Sequence, residues 1–318
     1  MARTPKDLAS QVFDLLSERG VAKAALRRRF REDSCINSTR VLFDVYRAVG
    51  VPAEAASVRT RIYSPGFVER AQREGRLPVT QEELQSWTSE PGVWSVGIGY
   101  GIGHGKNKWP GHLVLRSGSH LIDATIDQAN RPQHGIVMPP MLLLADASDA
   151  FWRAEEPLAA VINDCRVEYE ARPNDNSYLS SPAWSGRSHI EGAVASELVR
   201  YLEAKGVEST PAARQRIAAQ VRQQAMSEAV RALRQRIGWT QEELSAALDK
   251  SLGRKGSGGP VSWQGTMISK WEHGIDGPSP SHRMALAKIA AKHGHTDLAA
   301  IFRAPIARRK GQQHESAV

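Results

Sequence analysis

The segment GHLVLRSGSHLIDATID, residues 111–127, decides the fold of the first half of the chain. Two apolar runs flank the short polar stretch RSGSH, which is typical of two strands joined by a tight turn. With Ser117 and Gly118 as a two-residue loop, the pairing places His112 directly opposite Asp123, about 5 Å apart at Cβ. A carboxylate at that distance can orient an imidazole, so the hairpin predicts a histidine–aspartate pair.

Around this hairpin, the apolar spacing predicts an α+β domain in which the helices come first. An amphipathic helix is expected near the N-terminus, and a second one over residues 35–49, where Gly50 and Pro52 end it. Further strands are predicted at residues 55–63 and 93–100, before the two strands of the hairpin. We therefore expect helices packed on a sheet.

Cys35 opens the second of these helices. The dipole at a helix N-terminus stabilises a thiolate, although a buried inert thiol is the commoner fate of a cysteine. The run RRRFR at residues 27–31 could add to that stabilisation or form a solvated helix face. Together with the hairpin pair, Cys35 as nucleophile, His112 as base and Asp123 as orienting carboxylate form a coherent triad.

The same positions resemble the transglutaminase-like branch of the papain-type cysteine enzymes, over roughly residues 30–130. The shared features are a cysteine-headed helix that runs into GVPA at residues 50–53, the strand GHLV at residues 111–114 and IDAT at residues 122–125. The resemblance implies acyl transfer from an amide or ester. Leu113 and Val114 stand where the family has an aromatic residue, which favours a hydrolase, a peptidase or an acyltransferase of the arylamine type over a transglutaminase.

Other interpretations of this half remain open. Asp127 could replace Asp123 as the orienting carboxylate, and His104 in a glycine-rich loop could gate the site. Cys35, His104, His112 and Asp123 include the right ligand types for a metal but lack compact spacing, so no metal or cofactor is expected. The run GIGYGIGHGKN at residues 97–107 does not fit a phosphate-binding loop, because Tyr100 and Asn107 occupy required positions. Cys165 is expected to be structural.

The last third of the chain has the pattern of a small helical module. Thr240 and Glu243 form a capping box at the start of one helix, and Ile268 and Trp271 give a later helix an apolar face. The pieces WTQEEL, ISKWEHG, PSPSHR and ALAKIA, in that order, resemble the Cro/repressor-type (XRE) helix-turn-helix family, a bacterial type of DNA-binding module. The family's short turn is replaced here by a glycine-rich segment at residues 249–263, which costs little stability.

The resemblance implies that the later helix lies in the major groove of duplex DNA. The residues expected to contact bases or phosphates are Gln241, Gln264, Gly265, Thr266, Met267, Ser269 and Lys270. Glu272 is expected to pair within the domain. Residues 226–318 carry 14 Lys and Arg against 8 Asp and Glu, which is most of the net charge of +8 of the whole chain. That concentration of positive charge suits a polyanion, although a solvated basic face would show it too.

Composition limits the remaining possibilities. Two cysteines are too few for a disulfide scaffold, and the chain has neither a secretory signal nor a membrane-length apolar run, so a cytoplasmic location away from membranes is expected. The predicted organisation is a transglutaminase-like domain at residues 1–172, a linker at 173–189, a helical connector at 190–225, a helix-turn-helix domain at 226–304 and a disordered tail at 305–318. Residues 190–224 are candidates for forming a homodimer, as a palindromic operator requires.

Three functions fit this organisation. The chain is interpreted first as a transcription regulator fused to a Cys–His–Asp domain that processes a peptide or acyl substrate. Alternatively, it is primarily a cysteine hydrolase or acyltransferase localised by its DNA module, or a regulator whose vestigial triad binds an effector.

Overall fold

The computed structural model describes residues 5–30, 35–100, 109, 111–181, 184, 189–253, 262–273 and 276–304. The chain divides into two compact units, Met1–Arg214 and Gln215–Val318. The first unit combines helices with an antiparallel sheet, as the α+β prediction required, and the elements described in the second unit are helices. His104 and the predicted tail at residues 305–318 lie outside the described residues.

The sheet of the first unit has seven strands, all paired antiparallel. They are β1 Glu54–Tyr63, β2 Ser95–Ile98, β3 His112–Ser117, β4 His120–Asp123, β5 Leu142–Leu144, β6 Leu158–Ile162 and β7 Cys165–Ala171. The spatial order is β5-β4-β3-β1-β7-β6, and β2 also pairs with β1. On one edge, β1 pairs first with β3 and then with β2, while β7 lies along its other edge. This arrangement places β3 and β7 on opposite sides of β1.

The register of the β3–β4 hairpin differs from the prediction. Ser117 pairs with His120 and Leu115 with Ile122, so the two loop residues are Gly118 and Ser119. Gly118 has φ +59, and a positive φ at the first loop position is strongly favoured for glycine. The predicted register, in which His112 stood directly opposite Asp123, is therefore wrong by one residue on each strand. Because the shift is two in total, both residues still share one face and meet diagonally.

Helices of the first unit are α1 Pro5–Ser17, α2 Val21–Arg29, α3 Cys35–Ala48, α4 Pro65–Glu74, α5 Gln81–Thr88, α6 Asp149–Trp152 and α7 His189–Ala204. One sheet face carries the main core, with buried apolar side chains from five of the seven strands and from α6. The opposite face receives α3, where Ile36 packs against Leu113 and Thr39 Oγ1 donates to the Leu113 carbonyl oxygen at 2.9 Å. Alternation along β3 thus directs Leu113 to α3 and His112 to the main core.

The segment predicted as a linker, residues 173–189, packs onto the first unit where it is described. It contains a 3₁₀ helix, Ser177–Ser180, with Tyr178 buried against Leu113 and Ile36, and Trp184 packs on Phe43 of α3. Helix α7 in turn packs on α3. The polar composition predicted a linker, because in the described part of the segment two aromatic residues, Tyr178 and Trp184, make the apolar contacts.

The second unit is built on α8 Pro211–Ile237, α9 Gln241–Ser251, α10 Ser262–Glu272, α11 Pro280–Lys292 and α12 Thr296–Arg303. The first residues of α8 belong to the first unit, which ends at Arg214. The core of the second unit joins all five helices; its largest fully buried side chain is Phe302. The capping box predicted for α9 is confirmed, since Thr240 Oγ1 accepts from the Glu243 amide at 3.1 Å and the Glu243 carboxylate accepts from the Thr240 amide at 2.6 Å.

Candidate active site and candidate nucleic-acid interface

Cys35 is the first residue of α3 and is half-buried. Its Sγ lies 4.0 Å from the carbonyl oxygen of Gly111, the residue that precedes β3. The contact brings the sulfur to the beginning of β3, next to His112.

His112 and Asp123 form a pair that is fully buried. The distance between His112 Nε2 and Asp123 Oδ2 is 2.7 Å. The other ring nitrogen, Nδ1, makes no hydrogen bond of normal geometry with a described residue. The hairpin therefore supplies an imidazole that is held at one nitrogen and unused at the other.

The electrostatics of the pair favour a charged imidazolium. Burial lowers the pKa of His112, but the charge and hydrogen bond of Asp123, together with the hydrogen bond and charge of Cys35, outweigh it and raise the pKa to about 10. For Asp123, burial raises the pKa of the carboxyl, and the charge and hydrogen bond of His112 and the bonds from Thr125 and Tyr169 outweigh it, so the net pKa is lowered. Cys35 therefore contributes to the raised pKa of His112, although its contact with Nδ1 does not have normal hydrogen-bond geometry. The three predicted triad residues lie together.

Glycine at position 99 allows this arrangement. Gly99 has φ +83, and a Cβ atom there would lie 2.9 Å from the Val58 carbonyl oxygen and 3.1 Å from the His112 amide nitrogen. Both contacts are with main-chain atoms, which have little freedom to move aside. The close approach of Gly99 therefore fixes where β3 begins and where His112 stands.

Aromatic side chains surround Cys35 on the side of α3. Trp109 lies against Gly111 and packs on Tyr178, with ring centroids 5.7 Å apart, and Tyr178 meets Trp184 edge-on at 5.0 Å. Sequence reasoning missed Tyr178 and Trp184. The sequence signal that could have indicated them is the presence of two aromatic residues in an otherwise polar segment.

Tyr169 is a second residue that sequence reasoning missed. It lies on β7, is fully buried, and its hydroxyl donates to Asp123 Oδ2 at 3.0 Å. The alternating pattern CRVEYEA at residues 165–171 could have predicted the strand and the burial of Tyr169. It could not have predicted which carboxylate the hydroxyl meets.

The alternatives to the triad have other partners. Asp127 pairs with Lys23 at 2.7 Å and with Arg27 at 3.0 Å, so it holds α2 rather than the imidazole. Arg28 pairs with Glu197, and the Arg27–Arg28 part of the basic run therefore binds carboxylates instead of supporting the Cys35 thiolate.

Cys165 lies apart from the triad in the main core. It is fully buried, its Sγ donates to the Gly135 carbonyl oxygen at 3.5 Å, and burial raises the pKa of the thiol. A buried, protonated thiol is unreactive, which fits the structural role predicted for it. Within the described ranges, no three His, Cys, Asp or Glu side chains converge in a way that could hold a metal ion.

Helix α10 of the second unit has the two faces that a recognition helix needs. Ile268 is fully buried and Trp271 is 4% exposed, which confirms the predicted inner face. Thr266 and Lys270 are exposed and Ser269 is half-buried. Met267, predicted to contact DNA, packs partly against the core. The side chains of Gln264 and Gly265 lie outside the described residues.

Glu272, at the end of α10, ties three helices together. Its carboxylate accepts from Arg234 Nε at 2.6 Å and from Gln241 Nε2 at 2.9 Å, and its carbonyl oxygen accepts from Arg231 at 2.7 Å. The pairing role predicted for Glu272 is confirmed. Gln241 was predicted to contact phosphate, but here its side-chain amide serves Glu272 at the start of α9.

No protein-family model matches the chain, and no curated protein or solved structure is significantly similar to it. Both candidate sites therefore rest on the residues and distances given above. None of the described helices combines the length and hydropathy that a membrane crossing requires.

Proposed function

We propose that the chain is a DNA-binding regulator whose first unit carries a thiol-dependent acyl-transfer site. Cys35 is the nucleophile, His112 the general acid and base, and Asp123 the carboxylate that orients the imidazole. The observation that carries this proposal is the fully buried contact of 2.7 Å between His112 Nε2 and Asp123 Oδ2, beside a half-buried cysteine at a helix N-terminus. It leaves Nδ1 as the nitrogen that can exchange a proton with the thiol.

The reaction follows from these positions. Before attack, the thiol proton lies on His112, whose raised pKa favours the imidazolium. The Cys35 thiolate attacks the carbonyl carbon of an amide or ester, so that a C–S bond forms and an electron pair moves to the carbonyl oxygen. When this intermediate collapses, the bond to the leaving group breaks and the imidazolium gives its proton to the departing amine or alcohol. The product of this half-reaction is a thioester on Cys35.

The thioester is then resolved by water or by an acceptor amine. Neutral His112 removes a proton from the attacking group as it adds to the thioester carbonyl. The C–S bond breaks, the acyl product leaves, and the thiolate–imidazolium pair is restored. Water as the attacking group makes the enzyme a hydrolase, and an amine makes it an acyltransferase.

Acylation can be tested on the full chain with p-nitrophenyl acetate as the probe. We expect a burst of p-nitrophenolate and a mass increase of one acetyl group on Cys35, both lost in Cys35→Ala. Cys165→Ser is the matched control, because the buried Cys165 should leave the burst unchanged. A burst of the same size in Cys35→Ala would refute the proposed nucleophile.

The DNA-binding half of the proposal is supported by the exposed Thr266 and Lys270 opposite the buried Ile268 and Trp271. A helix held in this way can lie in the major groove, where lysine donates to base-edge acceptors or to phosphates. Binding is then expected to weaken steeply as salt rises, because phosphate contacts release counterions.

This half is tested with a randomised duplex pool, followed by anisotropy titration of the enriched duplex. We expect Lys270→Ala to weaken binding by roughly 5- to 150-fold, the range for a single base or phosphate contact. Lys288→Ala is the matched control, since Lys288 is also exposed in the second unit but lies on α11. Equal binding by both variants would refute the placement of the recognition helix.

The same variants separate the alternatives. If Cys35→Ala abolishes acylation and also changes the affinity of the chain for DNA, the chain is a regulator controlled by acyl chemistry. Loss of acylation with unchanged occupancy indicates an enzyme that the DNA module localises. A wild-type chain without acylation that still binds DNA indicates a vestigial triad.

A further inference from the structure

Two donors from different strands converge on one oxygen of Asp123. His112 Nε2, on β3, lies 2.7 Å from Oδ2, and the Tyr169 hydroxyl, on β7, donates to the same oxygen at 3.0 Å. Both donors and the carboxylate are fully buried. Tyr169 is therefore a fourth residue in the network of the proposed triad, and it is bonded to Asp123.

The second carboxylate oxygen is held locally. Asp123 Oδ1 accepts from the amide nitrogen of Thr125, two residues along the chain, at 2.9 Å. That bond fixes one oxygen but leaves the plane of the carboxyl free to turn about it. Tyr169 supplies the remaining constraint, since its hydroxyl holds Oδ2 from across the sheet.

We propose that Tyr169 is a positioning residue for His112, which it serves by fixing Asp123 Oδ2 on the imidazole and sharing the negative charge of that oxygen. This inference rests on the function proposed above, because it assigns His112 a role in acyl transfer. Tyr169 itself touches neither the sulfur nor the expected position of the substrate.

Packing alone does not account for the hydroxyl. Tyr169 belongs to the main apolar core, where phenylalanine would fill nearly the same volume without a polar atom to satisfy. Within the described residues, the hydroxyl makes a single hydrogen bond, to Asp123. Burial and then the charge of Asp123 raise the pKa of Tyr169 far above its usual range, so the phenol stays protonated and donates at every working pH.

Among the residues that the structure describes, few titratable groups act on this network. Asp123 from β4 and Cys35 from α3 act on His112, while His112 and Tyr169, with the Thr125 amide, act on Asp123. Lys23 of α2 comes close to the same loop but is paired with Asp127. A change in the titration of His112 on removal of the Tyr169 hydroxyl can therefore be traced to Asp123.

The direction of that change follows from the shared oxygen. Without the hydrogen bond from Tyr169, the negative charge of Asp123 Oδ2 interacts with the His112 imidazolium alone. The imidazolium then holds its proton more tightly. A more tightly held proton makes a poorer acid for the leaving group. Tyr169 therefore keeps the basicity of the His112–Asp123 pair below the value it would otherwise reach.

The test is Tyr169→Phe in the full chain, with the titration of the His112 ring nitrogens followed by ¹⁵N NMR. We expect the His112 midpoint to rise by about one to two units, the shift that corresponds to loss of one hydrogen bond to a charged group. In an Asp123→Asn background the same substitution should cause no further shift, because the two residues act through one oxygen.

Tyr46→Phe is the matched control. Tyr46 is also fully buried, and its hydroxyl donates to the Ala9 carbonyl oxygen at 3.2 Å, away from the triad. Both variants should lower the melting temperature to a similar extent, while only Tyr169→Phe should move the His112 titration. A lower melting temperature with an unmoved titration would reduce Tyr169 to a structural residue and overturn the inference.

Failure of this inference is distinguishable from failure of the proposed function. If wild-type protein forms no thioester with p-nitrophenyl acetate, the proposed function fails whatever the titration shows. If it forms the thioester and Tyr169→Phe leaves the His112 titration unchanged, only the role of Tyr169 fails.

Discussion

Each unit of the molecule contains a buried carboxylate paired with a basic side chain, and the two pairs have different hydrogen-bond partners. In the second unit, both Glu272 oxygens are occupied, by Arg234 at 2.6 and 3.2 Å and by Gln241 at 2.9 Å. In the first unit, Asp123 holds His112 through one nitrogen, while the other makes no hydrogen bond of normal geometry with a described residue. The Glu272 pair, in which both carboxylate oxygens accept hydrogen bonds, holds helices together. The His112 pair has a ring nitrogen that is not engaged in this way and can take part in chemistry.

Substitution of Asp123 should have the largest effect. Asp123→Asn removes the charge that orients His112 and stabilises its protonated form. Turnover of p-nitrophenyl acetate should therefore fall by about 10³- to 10⁴-fold. Asp127→Asn is the control, because Asp127 pairs with Lys23 and Arg27 instead of the imidazole. It should lower the melting temperature but leave turnover per folded molecule nearly unchanged. Equal losses of turnover would mean that both carboxylates act only on folding.

In the second unit, the corresponding substitution should affect stability instead of chemistry. Glu272→Gln leaves Arg234 without its carboxylate and should lower the free energy of unfolding by about 3 kcal/mol, the lower end for loss of one partner of a buried pair. Arg234 is 21% exposed, which lets solvent offset part of the loss. Urea denaturation measures the change, and the p-nitrophenolate burst should be unaffected. A change below about 1 kcal/mol would show that the bridge adds little.

The comparison also predicts an alkaline pH dependence in the first unit. The folded pKa of His112 is raised to about 10, so its stabilisation is fully present below the ordinary histidine value and is lost as the pH rises through about 10. Asp123 keeps its bonds to Tyr169 and Thr125 when the imidazole becomes neutral. Melting temperatures of wild type and His112→Gln, measured at increasing pH, should converge in the alkaline range. Parallel curves would contradict the assigned pKa shift.

The triad could be predicted because its residue types carry local signals. Cys35 starts a periodic apolar helix, and His112 and Asp123 lie on adjacent strands of one hairpin. The predicted register was wrong, yet a shift of two in the pairing keeps both side chains on the same face, so the contact survived the error.

Tyr169 and the aromatic residues near Cys35 could not be predicted in the same way. Tyr169 reaches Asp123 only because β7 lies along the edge of β1 opposite β3, and no local pattern encodes that strand order. Tyr178 and Trp184 lie in a segment whose Pro, Ser and Asn content indicated a linker. Its burial depends on contacts with α3 and with Leu113 of the sheet, which are distant in the sequence.

The second unit shows the same division between local and tertiary signals. The capping box at Thr240 and the inner face at Ile268 and Trp271 follow from spacing along the chain, and both are present. The partner of Gln241 depends on where α10 ends relative to α9. Its amide binds Glu272, a contact between residues 31 positions apart.

The most direct test of the central claim is the rate at which iodoacetamide alkylates Cys35 at neutral pH, compared between wild type and His112→Gln and located by peptide mass mapping. If His112 holds the thiol proton, Cys35 should react about tenfold faster or more in wild type, because a neighbouring cation raises the thiolate fraction. Cys165, buried in the core, should stay unmodified in both proteins. Equal alkylation rates of Cys35 in the two proteins would contradict a working cysteine–histidine pair.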